Sequence, residues 1–151
     1  MSQYGIDRTV PGVPAFRSTV AAAATLTEAQ SGALLVFDAA AGYTITLPTN
    51  APIGTWFDVT VDTTVTSVVA RLACPTGEFF KGTILQGQPT TFTQTARTAN
   101  GTTHLAWEGN GTTTGGILGD NMQVVKDSAT TWRIRGLNTA TGSTATPFKT
   151  S

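Results

Sequence analysis

The chain is short of charge, cysteine and histidine, and each shortage excludes something. Only 12% of the 151 residues are charged, and nine basic side chains balance nine acidic ones. That is about half the charged share usual in soluble domains. Nucleic-acid binders need clustered Lys and Arg to displace counterions, so a thin, balanced set argues against that class. The single cysteine, Cys74, excludes an internal disulfide and points to synthesis in a reducing cytoplasm. The single histidine, His104, has no Cys or His at ligand spacing, so no metal site is expected. No apolar run approaches the ~18 residues that a membrane-crossing helix needs. The start, Met1-Ser-Gln-Tyr-Gly5, lacks the basic and apolar regions of a secretory signal.

What the chain does have is threonine, roughly a fifth of its residues, in strand-like alternation. Thr55-Trp-Phe-Asp-Val-Thr-Val-Asp62 puts Phe57, Val59 and Val61 on one face and Trp56, Asp58, Thr60 and Asp62 on the other. Tyr43, Ile45 and Leu47 share a face in the same way. Further strands are expected over 33–38, 66–72, 90–96 and 102–108, and Met122–Lys126 with Thr131–Arg135 should form a hairpin. Asn100-Gly101 reads as the turn of a hairpin between 90–96 and 102–108, because both residues tolerate positive φ. Thr25 or Thr27 can cap a short helical turn that Gly32 stops. The section from Cys74 to Gln88 stays ambiguous, with Phe79 and Phe80 as core candidates. About nine short strands with frequent turns predict an all-β chain, a single antiparallel sandwich or barrel-like domain over residues 21–136.

Residues 1–20 read differently. Two prolines in Val10-Pro-Gly-Val-Pro-Ala-Phe16 favour extended backbone. The stretch is either an extended arm or a disordered leader. As an arm, it offers Tyr4, Ile6, Val10, Pro11, Val13 and Phe16 to a partner. The tail over 137–151 is small and polar apart from Pro147-Phe148, and Phe148 is the candidate anchor there.

No constellation on the chain assembles catalysis. Asp58 and Asp62 share a strand face with Cα atoms ~13 Å apart, too far for one metal or for a glycosidase carboxyl pair. His104 lies opposite Leu105 and Trp107, with no Gly-x-Ser-x-Gly elbow in the chain. Cys74 reads as a small buried hydrophobe, and Asn100-Gly-Thr and Asn110-Gly-Thr read as turns. Gly115-Gly116 lacks the lysine of a phosphate loop. Trp107 and Trp132 share faces with apolar residues, whereas Trp56 sits among Asp and Thr and is the tryptophan expected at a partner interface. No enzyme, cofactor or metal is expected.

The segment Leu26-Thr-Glu-Ala-Gln-Ser-Gly-Ala-Leu-Leu-Val-Phe-Asp-Ala-Ala-Ala-Gly-Tyr-Thr-Ile-Thr-Leu-Pro48 resembles a recurrent phrase of small structural proteins in tailed bacteriophages. Gly54-Thr-Trp-Phe-Asp-Val-Thr-Val61, Val124 to Gly136 and Thr144-Ala-Thr-Pro-Phe148 fit the same class. The resemblance is to the capsid decoration, or cement, protein family. It implies a β-rich virion protein on the outer capsid surface. Its partners would be the major capsid protein and itself, as homotrimer or homodimer, with neither nucleic acid nor membrane. The family supplies no catalytic motif. A carbohydrate- or receptor-binding module of a tail or fibre is the alternative, with Trp56 and Asp58 as its platform.

Overall fold

In the computed structural model, which describes residues 18–151, the strands form two sheets packed face to face. The first sheet has seven strands in the order β1 (Thr19–Val20), β3 (Leu34–Phe37), β5 (Trp56–Val61), β10 (Asn121–Lys126), β11 (Thr131–Thr139), β7 (Phe79–Gln88) and β8 (Thr93–Asn100). The second has five, ordered β12 (Phe148–Lys149), β9 (Ala106–Gly109), β6 (Ala70–Ala73), β4 (Thr44–Thr46) and β2 (Ala24–Thr25). The chain is all-β, as its alternation predicts.

Direction is where the structure departs from expectation. Both sheets are mixed, with parallel ladders β1–β3, β3–β5, β7–β11, β2–β4 and β4–β6. From β1 to β6 the chain changes sheet after every strand. Strands next to each other in one sheet are then two apart in the chain and run the same way. The turns between them are arches over the core edge, not hairpins, and a short polar turn looks alike in both cases. The hairpin of β10 and β11 is as expected, pairing Asn121 through Lys126 with Leu137 through Trp132.

Asn100-Gly101 is not a hairpin turn. β8 pairs antiparallel with β7, and the chain then crosses to β9 in the other sheet. Asn100 Oδ1 accepts from Thr102 N and Thr103 N, both at 3.0 Å. Asn110 repeats the device at the far end of β9, accepting from Thr112 N at 3.0 Å and Thr113 N at 2.8 Å. Each Asn thus closes an Asx-type turn at a sheet-to-sheet crossing. Gly111 (φ 77°) needs its missing side chain, because a Cβ there would lie 1.8 Å from the Val65 carbonyl oxygen.

The ambiguous 74–88 section becomes the ten-residue β7, with Phe80 buried and Phe79 only partly so. The tail is not a separate element. The expected boundary at 136 falls inside β11, and β12 pairs with β9. Thr27, not Thr25, starts the 3-10 turn over Glu28–Gln30, with Thr27 N donating to Gln30 Oε1 at 2.8 Å. Gly32 (φ 87°) follows it.

The core joins Leu35, Phe37, Phe57, Val59, Val61, Val124 and Ile134 of the large sheet to Ile45, Leu47, Leu72 and Trp107 of the small one. At one end of β7, β10 and β11 this apolar layer contains an ion pair. Lys126 and Glu78 are paired while 1% and 6% exposed. Trp132 Nε1 donates to Glu78 Oε2 at 2.6 Å, Lys126 Nζ donates to Ala129 O at 3.1 Å, and Nζ sits 5.2 Å from the centre of the Trp132 ring. Removing one partner of such a pair strands a buried charge, which costs about 3–5 kcal/mol. Lys126→Met is expected to lose that much in urea unfolding, and adding Glu78→Leu to it is expected to restore more than half.

Candidate functional site

On the outer face of the seven-stranded sheet the register sets side chains in rows. One row runs Leu34, Asp58, Gln123, Arg135, Thr83, Thr98, from β3 to β8. It is stitched by hydrogen bonds. Gln123 Nε2 donates to Asp58 Oδ1 at 3.0 Å, Arg135 donates to Gln123 Oε1 at 2.6 Å, and the Thr83 and Thr98 hydroxyls lie 3.3 Å apart. Beside it, Trp56, Val125, Arg133 and Lys81 form a second row. There Asp127 carboxylate receives Arg133 at 3.3 Å and Lys81 at 3.6 Å. The rows leave two shallow clefts of about 610 and 380 Å³ that share Gln123 and Arg135. Gln123 thus bridges Asp58 and Arg135, and Asp127 pairs with Arg133 and Lys81. The face offers hydrogen bonding and modest apolar area from Leu34, Ile53 and Leu137.

Trp56 lies on this face, half-buried, and a Cβ added to Gly32 would contact its ring at 3.5 Å. Tyr4, Ile6, Val10, Pro11, Val13 and Phe16 lie outside the described residues. Phe148 is a correction. It is 3% exposed, belongs to the core cluster, and packs against His104 with ring centres 5.7 Å apart and planes tilted by 53°. The β12–β9 pairing turns it inward, so it anchors the C-terminus to its own domain and is not offered to a partner.

The reactive side chains are structurally occupied. His104 Nδ1 accepts from Asn100 N at 3.1 Å. Burial pushes the Cys74 thiol far up, with the nearby Glu78 adding to the effect. Burial likewise pushes the Tyr43 hydroxyl up to about 12, and that hydroxyl donates to the Val36 carbonyl. No group of three or more His, Cys, Asp or Glu gathers into a metal site among the described residues. Asp58 and Asp62 are held by Gln123 and Thr60 respectively.

Three features escaped the sequence reading. One is the Glu78–Lys126–Trp132 cluster, which Lys126 did signal by falling in phase with Met122 and Val124 on the inward face of β10. Another is Asp120, 2% exposed inside the Gly/Thr-rich connection. Its Oδ2 accepts from Gly116 N at 2.9 Å and Ile117 N at 3.2 Å, and its Oδ1 from Thr139 N at 2.7 Å. The third is Phe92, taken for a strand residue but standing at the tip of the β7–β8 hairpin, 95% exposed. The local signal was Pro89, second residue of the turn that Thr91 N closes onto Gln88 O, although no Gly or Asn accompanies it.

No family model, curated protein or solved structure matches the chain.

Asp120 carries a pH dependence whose sign is fixed. Burial raises its carboxyl above the usual range, and the three N–H donors pull it back only in part. The native state therefore holds the proton longer than the unfolded chain. Its contribution to stability is fullest below the unfolded pKa and falls as pH rises through the carboxylate range. The stability difference between wild type and the non-titrating Asp120→Asn is expected to shift against wild type from pH 3 to pH 6, measured by urea unfolding at each pH.

Proposed function

We propose that this chain is a non-enzymatic structural protein of a tailed-phage virion. In this reading it binds the outer capsid surface, stabilises contacts between major capsid protein subunits, and does so as a symmetric homo-oligomer. The observation that carries the reading is the Leu26–Pro48 phrase, which forms β3, β4 and their turns in a sandwich of a chain that is only 12% charged. A cement protein needs that kind of body. It has to fit a lattice many times over, and repeated weak contacts sum to strong stabilisation of the assembled shell. The arm of residues 1–18 supplies reach, with its prolines lowering the ordering entropy lost on binding.

A second reading has one observation in its favour. The larger outer cleft groups Asp58, Thr60, Asn121, Gln123 and Arg135, a hydrogen-bonding set suited to a neutral polyhydroxylated ligand. That would make the chain a tail- or fibre-borne glycan-binding module.

Quantitative mass spectrometry of purified virions separates the two. Hundreds of copies in simple ratio to the major capsid protein are expected for a cement protein. A few dozen copies or fewer would move the chain to the tail, and glycan binding lost in both Trp56→Ala and the cleft variant Asn121→Ala would then support the second reading. On heads, deletion of residues 1–18 is expected to abolish stable attachment, while attachment of the intact chain changes little between low salt and about 0.5 M salt, because few charges are available to screen.

A further inference from the structure

Two sheets have four edges, and three of them are very short. β1, β2 and β12 are each two residues long. Very short edge strands are a common way to deny a second chain a template. The fourth edge, β8, runs eight residues from Thr93 to Asn100. It contains no proline and no lysine, and it pairs with β7 in unbroken register. Its one charge, Arg97, turns inward, where Nε donates to Gln86 Oε1 at 2.9 Å and an amino group to Thr144 Oγ1 at 2.8 Å. The exposed side chains of the strand are Thr93, Gln94, Ala96, Thr98 and Asn100, all neutral. Among the described residues no other strand pairs with this edge.

Phe92 stands at the head of that strand. It has φ 53°, a left-handed backbone that costs a bulky L-residue about 1–2 kcal/mol. Thr91 N closes a turn onto Gln88 O at 3.2 Å, and the residue after such a turn is normally Gly. A strained, fully exposed aromatic at a place suited to glycine points to a use for the ring.

We infer that β8 is a self-association edge, and that two copies of this chain pair β8 to β8 antiparallel about a two-fold axis normal to the sheet. The occupant is a second copy because the edge is compatible with itself. Such a two-fold keeps each residue on its own face, so opposed residues differ by an even number. A register centred on Ala96 pairs Thr93 with Ala99 of the second copy and Gln94 with Thr98, and opposes no two charges. It also sets Phe92 opposite Asn100 of the second copy, beside Lys81 on the neighbouring β7. The pairing is isologous and closed, which yields a dimer and no filament.

The inference rests on the homo-oligomer part of the reading above and not on the capsid. Its test is the mass of the purified full-length chain across a micromolar concentration series, by sedimentation velocity. Wild type is expected to be a dimer. Ala96→Lys and Ala96→Glu should each sediment as folded monomers, since each sets like charges directly opposite. An equimolar mixture of the two should recover the dimer. Phe92→Gly should unfold at a higher temperature than wild type and yet dimerise about fivefold more weakly, a split that a purely structural role would not produce. A wild-type monomer throughout the series overturns the inference. So does a trimer or dimer whose affinity Ala96→Lys leaves unchanged. Head binding retained by monomeric Ala96→Lys would leave the cement role standing, whereas loss of head binding with an intact dimer would count against the capsid alone.

Discussion

The structure depends on one constraint, that the chain changes sheet after each of its first six strands. Each crossing must turn within a few residues and reach the opposite layer. An arch of this kind cannot use the ladder of a hairpin to hold itself, so local backbone bonds such as Gly42 N to Ala39 O and Thr66 N to Ala40 O hold it, with side chains adding to them. Tyr43 does this at the β3–β4 crossing, with its hydroxyl on the Val36 carbonyl. Asn100 and Asn110 do it on either side of β9. Mixed sheets follow from the same constraint, because strands that return to a sheet every second crossing return in one direction. The parallel ladders are a consequence of the route, not of any preference of the individual strands.

Where the route ends a strand, the core becomes polar. β7, β10 and β11 lie side by side, and both ends of that group bury charge. At one end Glu78 and Lys126 satisfy each other and Trp132. At the other Asp120 holds three backbone donors that would otherwise be orphaned. Buried polar groups are tolerated only when partnered, and here the partners come from different strands. Each cluster therefore fixes strand register as well as local geometry.

The alternation of apolar residues made the strands legible, and Trp107, Trp132 and the Phe57 face lie in the core as the pattern requires. Pairing direction was not legible. Periodicity of two says which side chains face inward, and says nothing of whether the next strand lies beside its predecessor or across the core. Asn100-Gly101 shows why, since the same dipeptide that favours a tight hairpin also closes an Asx-type turn at a crossing. Phe148 misled for a related reason. An isolated aromatic in a polar tail looks available to partners until the two-residue β12 is seen to seat it against His104. The outer rows were half legible: Trp56 and Asp58 share a face in the sequence, but Gln123 and Arg135 join Asp58 only through three-strand register.

Low charge has a further consequence for how such a surface avoids unwanted association. Net charge of zero removes the general repulsion that keeps most soluble proteins apart. The remaining protection is geometric: among the described residues, three edges are two residues long. Against that background an unprotected eight-residue edge is not a neutral feature. A protein without electrostatic protection that left β8 open by accident would aggregate through it. A two-fold contact would be finite, because it consumes both edges at once. Among the described residues, low charge and one long edge thus occur together, and the proposed β8–β8 pairing would account for both.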